Sequence, residues 1–208
     1  MYSDITGYAP KWLESLGWIG LGVGISLCVA AVVVLTCGVG ALAGTMGGAI
    51  LYGAAQGTLI GAAIGSGVGV LAGGIGAAIS GESISGGEFW SDVLFGAMAG
   101  FGIGSFIGAV SGGFIGAHSF SVNSAYISQN GGNVRQVLSA FKGNPKLTAI
   151  GNDTTAFRYW GGGTPKFGHW VSPIDYGSSA RSMLSLPGSN SMQFLSSFSI
   201  NGGSYVLQ

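Results

Sequence analysis

The densest set of side chains able to do chemistry lies in residues 157–187, FRYWGGGTPKFGHWVSPIDYGSSARSMLSLP. It holds two arginines, Arg158 and Arg181, three large rings at Tyr159, Trp160 and Trp170, one histidine, His169, and the run Gly161-Gly162-Gly163. A guanidinium fork binds phosphate through parallel N–H donors, and an aromatic face stacks on a base or a nicotinamide ring. That pairing suits a dinucleotide. Each residue also has a plain structural use. An aromatic-rich strand is core in many small domains, and His169 between Gly168 and Trp170 reads equally as a surface histidine. Gly161 to Gly163 is as easily a hairpin loop as a phosphate cradle, since no GxGxxG or Walker pattern accompanies it. Asp153, Lys166, His169 and Asp175 have no recognisable nuclease spacing, so a nuclease ranks last and no metal site is expected.

The elements that must position these residues form a small α+β domain over 119–208. Val134, Val137, Leu138 and Phe141 fall at i, i+3, i+4 and i+7, which predicts a short amphipathic helix over 133–141, stopped by Gly143 and turned by Asn144-Pro145. Residues 147–150, 155–160 and 167–172 read as strands, 178–186 as a helix ended by Pro187-Gly188, and 194–200 and 204–207 as strands. The final strand runs to Gln208 with no closing tail, the pattern of a truncated chain.

The residues before this domain are of another kind. Between Glu14 and Glu82 there is no Asp, Glu, Lys, Arg or His. Glycine stands at every fourth position from Gly53 to Gly73 and again from Gly96 to Gly116. On a helix that period returns to nearly one face, leaving a bare stripe on which a second helix can approach backbone to backbone. The region divides into four runs, 18–39, 40–55, 56–80 and 93–117, most near the roughly 20 residues that cross a hydrocarbon core. Residues 81–92, GESISGGEFWSD, form a polar break with a tryptophan suited to an interface. A glycine-rich low-complexity linker is the alternative, but glycine costs about 1 kcal/mol per position in a water-exposed helix. Two six-step ladders point instead to helical hairpins that insert in a bilayer and stay shielded until use. Cys28 and Cys37 read as small buried hydrophobes of that region.

Only 7% of the 208 residues are charged, 42 are glycine, and the mean hydropathy is +0.55. The net charge of zero hides a split. Residues 1–118 hold Lys11 against Asp4, Glu14, Glu82, Glu88 and Asp92, a net of −4. Residues 119–208 hold Arg135, Lys142, Lys146, Arg158, Lys166 and Arg181 against Asp153 and Asp175, a net of +4. The basic part could meet an anionic partner such as a nucleotide, nucleic acid or an acidic protein, or simply be solvated. The start, MYSDITGYAPKW, lacks the basic n-region of a secretory signal, so the chain either stays inside or leaves as part of something larger.

That opening resembles the close of an Rhs (YD-repeat) core, with Tyr2, Asp4 and Gly7 in a Tyr-x-Asp-x-x-Gly motif and Ile5 where proline is commoner. Residues 78–91, Ala-Ile-Ser-Gly-Glu through Gly-Glu-Phe-Trp-Ser, are similar to pretoxin linkers of that group. The resemblance implies a secreted polymorphic toxin, carried inside the Rhs shell, with a cognate immunity protein as partner. Within 157–187, Arg158-Tyr159-Trp160-Gly161, then Gly168-His169-Trp170-Val171-Ser172-Pro173, then Arg181 through Pro187 resemble the tuberculosis-necrotising-toxin type of NAD glycohydrolase and, more distantly, the ADP-ribosyltransferases. That likeness implies NAD as substrate with no prosthetic group, Arg158 and Arg181 as phosphate contacts, and Trp170 in the pocket wall. Tyr159, Trp160 and His169 would join the NAD site. The glycohydrolases also use a late glutamine, a place that Gln208 could fill or that lies further on. Residues 119–208 hold no glutamate for a transferase, and Gln193 is the other late glutamine.

Together these readings predict residues 1–15 as the end of an Rhs core, 16–118 as an all-α glycine-zipper hydrophobic region, and 119–208 as an α+β toxin domain. The expected function is entry through a target-cell membrane and consumption of NAD in the target cytoplasm, with no nucleic-acid partner favoured. A pore formed by the zippers is the alternative from another class.

Overall fold

The computed structural model describes residues 11–208, apart from Lys142, Phe167, His169, Ser185 and Pro187. Tyr2, Asp4, Gly7 and His169 therefore lie outside the described residues. The chain divides into two compact units, Met1–Lys146 and Leu147–Gln208. The first is helical and the second is built on β-strands, an α+β chain with an N-terminal helical region.

The helical unit contains α1 (Lys11–Cys37), α2 (Met46–Ile79), α3 (Gly87–Gln129) and the short α4 (Val134–Leu138). Three of these, α1 from Glu14 onward, α2 and α3, are long and apolar enough to cross a membrane. Thr45 caps α2 by accepting the Gly48 N–H at 3.2 Å, and Asn133 caps α4 by accepting that of Gln136 at 3.0 Å. Between α1 and α2 the chain turns at Gly38 (φ 74°) and Gly44 (φ 71°), conformations that a side chain would strain.

The two glycine ladders face each other along α2 and α3. An added Cβ on Gly61 would fall on the carbonyl oxygen of Gly104, and one on Gly104 would fall on that of Gly61. The same reciprocal contact joins Gly53 with Gly112, Gly57 with Gly108, Gly65 with Gly100 and Gly69 with Gly96. Each four-residue step up one helix is matched by a four-residue step down the other, so the pair is antiparallel and in register throughout. Each glycine Cα–H points at a partner carbonyl, the close approach that recurs where helices pack on small residues. At its ends the seam meets Asp92, opposite Gly73, and Ala49, opposite Gly116.

Helix α1 lies on α3 through its own glycines. Gly17 meets Phe95, Gly20 meets Met98 and Ala99, and Gly24 meets Phe101 and Gly102. Outer apolar side chains are left uncovered: Ile60, Ile64, Leu71, Ile103, Phe106 and Phe114 are 59 to 73% exposed. Hydroxyls within the helices turn back on their own backbone. Ser26, Thr36, Thr58, Ser66, Ser105 and Ser124 each donate to the carbonyl four residues earlier, at 2.6 to 2.9 Å.

Three expectations change here. The runs 40–55 and 56–80 are largely one helix, because Gln56 and Gly57 continue α2 without a turn. The break 81–92 ends at Gly86, which caps α3, so Glu88, Trp90 and Asp92 are helical. Helix α3 also runs through Ser119, where the composition changes, to Gln129.

The second unit is one interrupted antiparallel ribbon. Strands β1 (Leu147–Ala149) and β4 (Tyr205–Leu207) pair, as do β2 (Thr154–Gly162) and β3 (Asn190–Ile200). Ala149 faces Tyr205 and Thr154 faces Ile200, so four residues on each side are skipped and the register carries across. The helix α5 is short, Ala180–Met183. The expected strand over 167–172 is reduced, among the described residues, to one bridge in which Ser172 exchanges two 2.7 Å hydrogen bonds with Phe157. The described part of this segment is a loop that meets the edge of β2 at Phe157.

The ladder gives a direct expectation. Gly61→Leu or Gly104→Leu should force α2 and α3 apart, whereas Gly67→Leu and Gly76→Leu, where a Cβ meets nothing within 4 Å, should not. Spin labels at positions 64 and 103 in detergent would show a longer, broader distance distribution in the first pair and the wild-type distribution in the second. Equal effects at Gly61 and Gly67 would contradict the seam.

Candidate functional site

Strand β2 sets out the residues singled out by the sequence. Alternation along a strand puts Arg158 and Trp160 on one face and Phe157 and Tyr159 on the other. Across the ribbon Arg158 stands opposite Ser196, and Trp160 opposite Phe194. The Trp160 ring stacks on Phe194 with centroids 4.4 Å apart, and its N–H donates to the Ser196 hydroxyl at 2.9 Å. Its position is fixed by its neighbours on β3.

Arg158 is 7% exposed. Its Nε and Nη2 both donate to the carbonyl of Pro165 at 3.2 Å, and Nη1 donates to that of Trp170 at 2.6 Å. Gly168 passes over the group so closely that a Cβ would sit against the guanidinium. Burial lowers the Arg158 pKa from its ordinary value. The fork that could grip a pyrophosphate here grips two backbone carbonyls of the loop that follows β2.

On the other face, the Tyr159 hydroxyl donates to Asp175, and the Gly177 N–H reaches both the Tyr159 oxygen and Asp175 Oδ1 at 2.9 Å. The hydrogen bond from Tyr159 holds the Asp175 carboxyl below the usual carboxylate range, helped by the Gly177 N–H. Tyr159 is raised, first by burial and then by its bond to Asp175. Asn190, 2% exposed, donates from Nδ2 to the Tyr159 carbonyl at 2.9 Å and accepts the Met192 N–H at the same distance. It closes a bulge where Trp160 faces Phe194 but Gly162 faces Asn190, with Gly161 at φ 134° and Met192 at φ 55°.

Arg181 is exposed on α5 and donates from Nη2 to the Asn190 carbonyl. Trp170 is 46% exposed. Gln208 follows β4, whose Leu207 pairs with Leu147, so it stands at the end of the ribbon away from Arg158. The structure thus brings Arg158, Tyr159, Trp160, Trp170 and Arg181 around one end of the ribbon and leaves Gln208 at the other. Asn190 and the role of Asp175 were not legible as site features. The signal available was Gly161-Gly162 in a strand, which marks a bulge that needs a polar partner. Among the described residues no three His, Cys, Asp or Glu side chains gather as a metal site would need.

Cationic residues are also redistributed. Arg135, Lys142 and Lys146 belong to the helical unit, leaving Arg158, Lys166 and Arg181 against Asp153 and Asp175 in the second, a net of +1. The basic character inferred for residues 119–208 is concentrated before the ribbon begins.

Two outcomes follow from the geometry. Arg158→Lys should destabilise the second unit by about 2 kcal/mol, because one ammonium cannot serve both carbonyls. Hydrogen exchange in the full chain should report this as faster exchange over residues 154–200. The Tyr159–Asp175 pair stabilises the fold above the unfolded aspartate pKa of about 4 and below the unfolded tyrosine pKa of about 10. It is lost as pH falls through the depressed Asp175 value, or rises through the raised Tyr159 value. Tyr159→Phe should flatten both limbs of a melting-temperature profile against pH; an unchanged profile would show that the pair is not coupled to folding.

No family model, no curated protein and no solved structure matches the chain.

Proposed function

We propose that this chain is the C-terminal region of a secreted polymorphic toxin, in which the helical unit enters a target-cell membrane and the second unit is delivered. The observation that carries the membrane step is the glycine seam. From Ala49 and Gly116 at one end to Gly73 and Asp92 at the other, α2 rises about 36 Å, close to the ~30 Å of a hydrocarbon core. No ionisable Asp, Glu, Lys, Arg or His lies between these ends on either helix. Backbone contacts join the helices within, apolar side chains face outward, and six hydroxyls donate to their own helix. Such a surface suits lipid, where each polar group needs an internal partner.

A pore built by zipper contacts between copies is less favoured. The bare faces it would use are already occupied, each by the other's carbonyls.

For the second unit the reading is consumption of NAD by glycohydrolysis or ADP-ribosyl transfer, as the motif resemblance implies. Arg181 and Trp170 reach solvent, while Arg158 holds the loop on which Trp170 stands. Arg181 is then the phosphate contact and Arg158 a positioning residue. The Rhs shell and an immunity protein are the partners this reading requires, and the target cytoplasm is the place of action.

Full-length protein mixed from detergent with liposomes should float with them, resist an alkaline wash and give a helical circular dichroism spectrum. Release by the wash, or a strand or coil spectrum, would sink the membrane step. The floated protein should turn over etheno-NAD, and Arg181→Ala should lower that rate by about tenfold or more. A folded chain without turnover would remove NAD from the reading and leave membrane entry standing.

A further inference from the structure

The helical unit has two chemically different ends. Helix α1 runs parallel to α3, as Gly17, Gly20 and Gly24 climb past Phe95, Met98 and Phe101, and Cys28 Sγ lies 4.0 Å from Ser105 Oγ. Because α2 is antiparallel to α3, the three long helices run up, down and up. The start of α1 therefore lies at the same end as residues 80–92, and the turn 38–45 at the same end as Gly116.

The first end carries Glu14, Glu82, Glu88 and Asp92, with Lys11 as its cation. The second end takes in residues 38–45 and 118–146, which hold Arg135, Lys142, Lys146 and His118 and no Asp or Glu. The exit of the chain is tied to this second end. Asn144 Nδ2 donates to the Ala49 carbonyl at 2.8 Å, and Asn123 Nδ2 to that of Pro145 at 2.7 Å. Gly44 packs on Arg135 and Ser139, so α4 belongs to the same cap. Lys and Arg close to the ends of spanning helices favour the cytoplasmic side, and among the described residues Arg135 and Lys146 stand at the second end against Lys11 at the first.

Resting on the membrane reading above, we infer a three-pass topology: residues 80–92 lie on the outer side with the start of α1, and residues 118–208 lie on the cytoplasmic side. An odd number of passes carries the C-terminal unit across, whereas a two-pass hairpin would return it to the side from which it came. The acidic end is the one left outside, and the basic cap faces the compartment that attracts it. Helix α1 is thus required for the second unit to reach the cytoplasm, beyond any role in packing.

The test uses the full chain with Cys28→Ser and Cys37→Ser, synthesised into inside-out vesicles of a bacterial inner membrane. Single cysteines are placed by Ser85→Cys or Ser189→Cys and probed with a membrane-impermeant maleimide. Ser189→Cys should label at once, and Ser85→Cys only after detergent. Replacing Arg135, Lys142 and Lys146 by Gln, together with Glu82→Lys and Glu88→Lys, should lower the protected share of Ser85→Cys by roughly twofold or more. Membrane-embedded chain with both sites on one side, or with the sides exchanged, overturns the topology and leaves membrane entry intact. Chain that an alkaline wash releases overturns both.

Discussion

A carbonyl oxygen needs a clear approach to a Cα–H, and along the α2–α3 seam that approach is so close that not even a methyl group fits between the helices. Everything else in the helical unit follows from it. The two backbones fix one register, the register sets which loops share an end, and the bulky residues are forced outward because the inner face has no room for them. Twelve ladder glycines would cost about 12 kcal/mol as exposed helix in water. That penalty makes little sense for a free-standing soluble bundle whose outer face is also apolar. In hydrocarbon that comparison changes, because backbone outside a helix would be left unpaired.

The ladders were legible in the sequence because period four is local and every helix obeys it. The breaks near 39 and 80 were legible too, but the one expected between 55 and 56 was not a turn, because α2 runs through it. Gly38, Gly44, Gly57 and Gly61 look alike as letters, yet the first two sit at positive φ and break the chain while the last two are ordinary helix. What distinguishes them is whether a glycine lies opposite on another helix, a long-range fact. The end of α3 was obscured in the same way. Polar residues after Ser119 resemble a new domain, but they mark a helix leaving its apolar zone, with Asn123 turned inward to the Pro145 carbonyl.

In the second unit the residue types pointed to the right stretch of chain, and their geometry changes what they do. Arg158 stood out for a fork that fits phosphate, and carbonyls at 2.6 and 3.2 Å fill that fork. No local pattern announces this, because Pro165 and Trp170 offer only backbone. The predicted strand over 167–172 failed for a related reason. Its apolar residues follow strand spacing, but the loop needs just one bridge, at Ser172, once Arg158 holds it.

The two units solve one problem with opposite means. In the helices, side chains are removed so that backbones can meet; in the ribbon, side chains reach out to backbone groups that strands leave unpaired. Arg158 and Asn190 each donate to main-chain carbonyls, and Tyr159 with Asp175 gathers the Gly177 N–H. A seam made of backbone contacts has no side-chain polarity to resolvate. The loop of the second unit depends instead on ionised and hydrogen-bonding groups, Arg158 and the Tyr159–Asp175 pair among them. The register of the ribbon is carried by one antiparallel pairing, from Leu147 opposite Leu207 to Gly162 opposite Asn190.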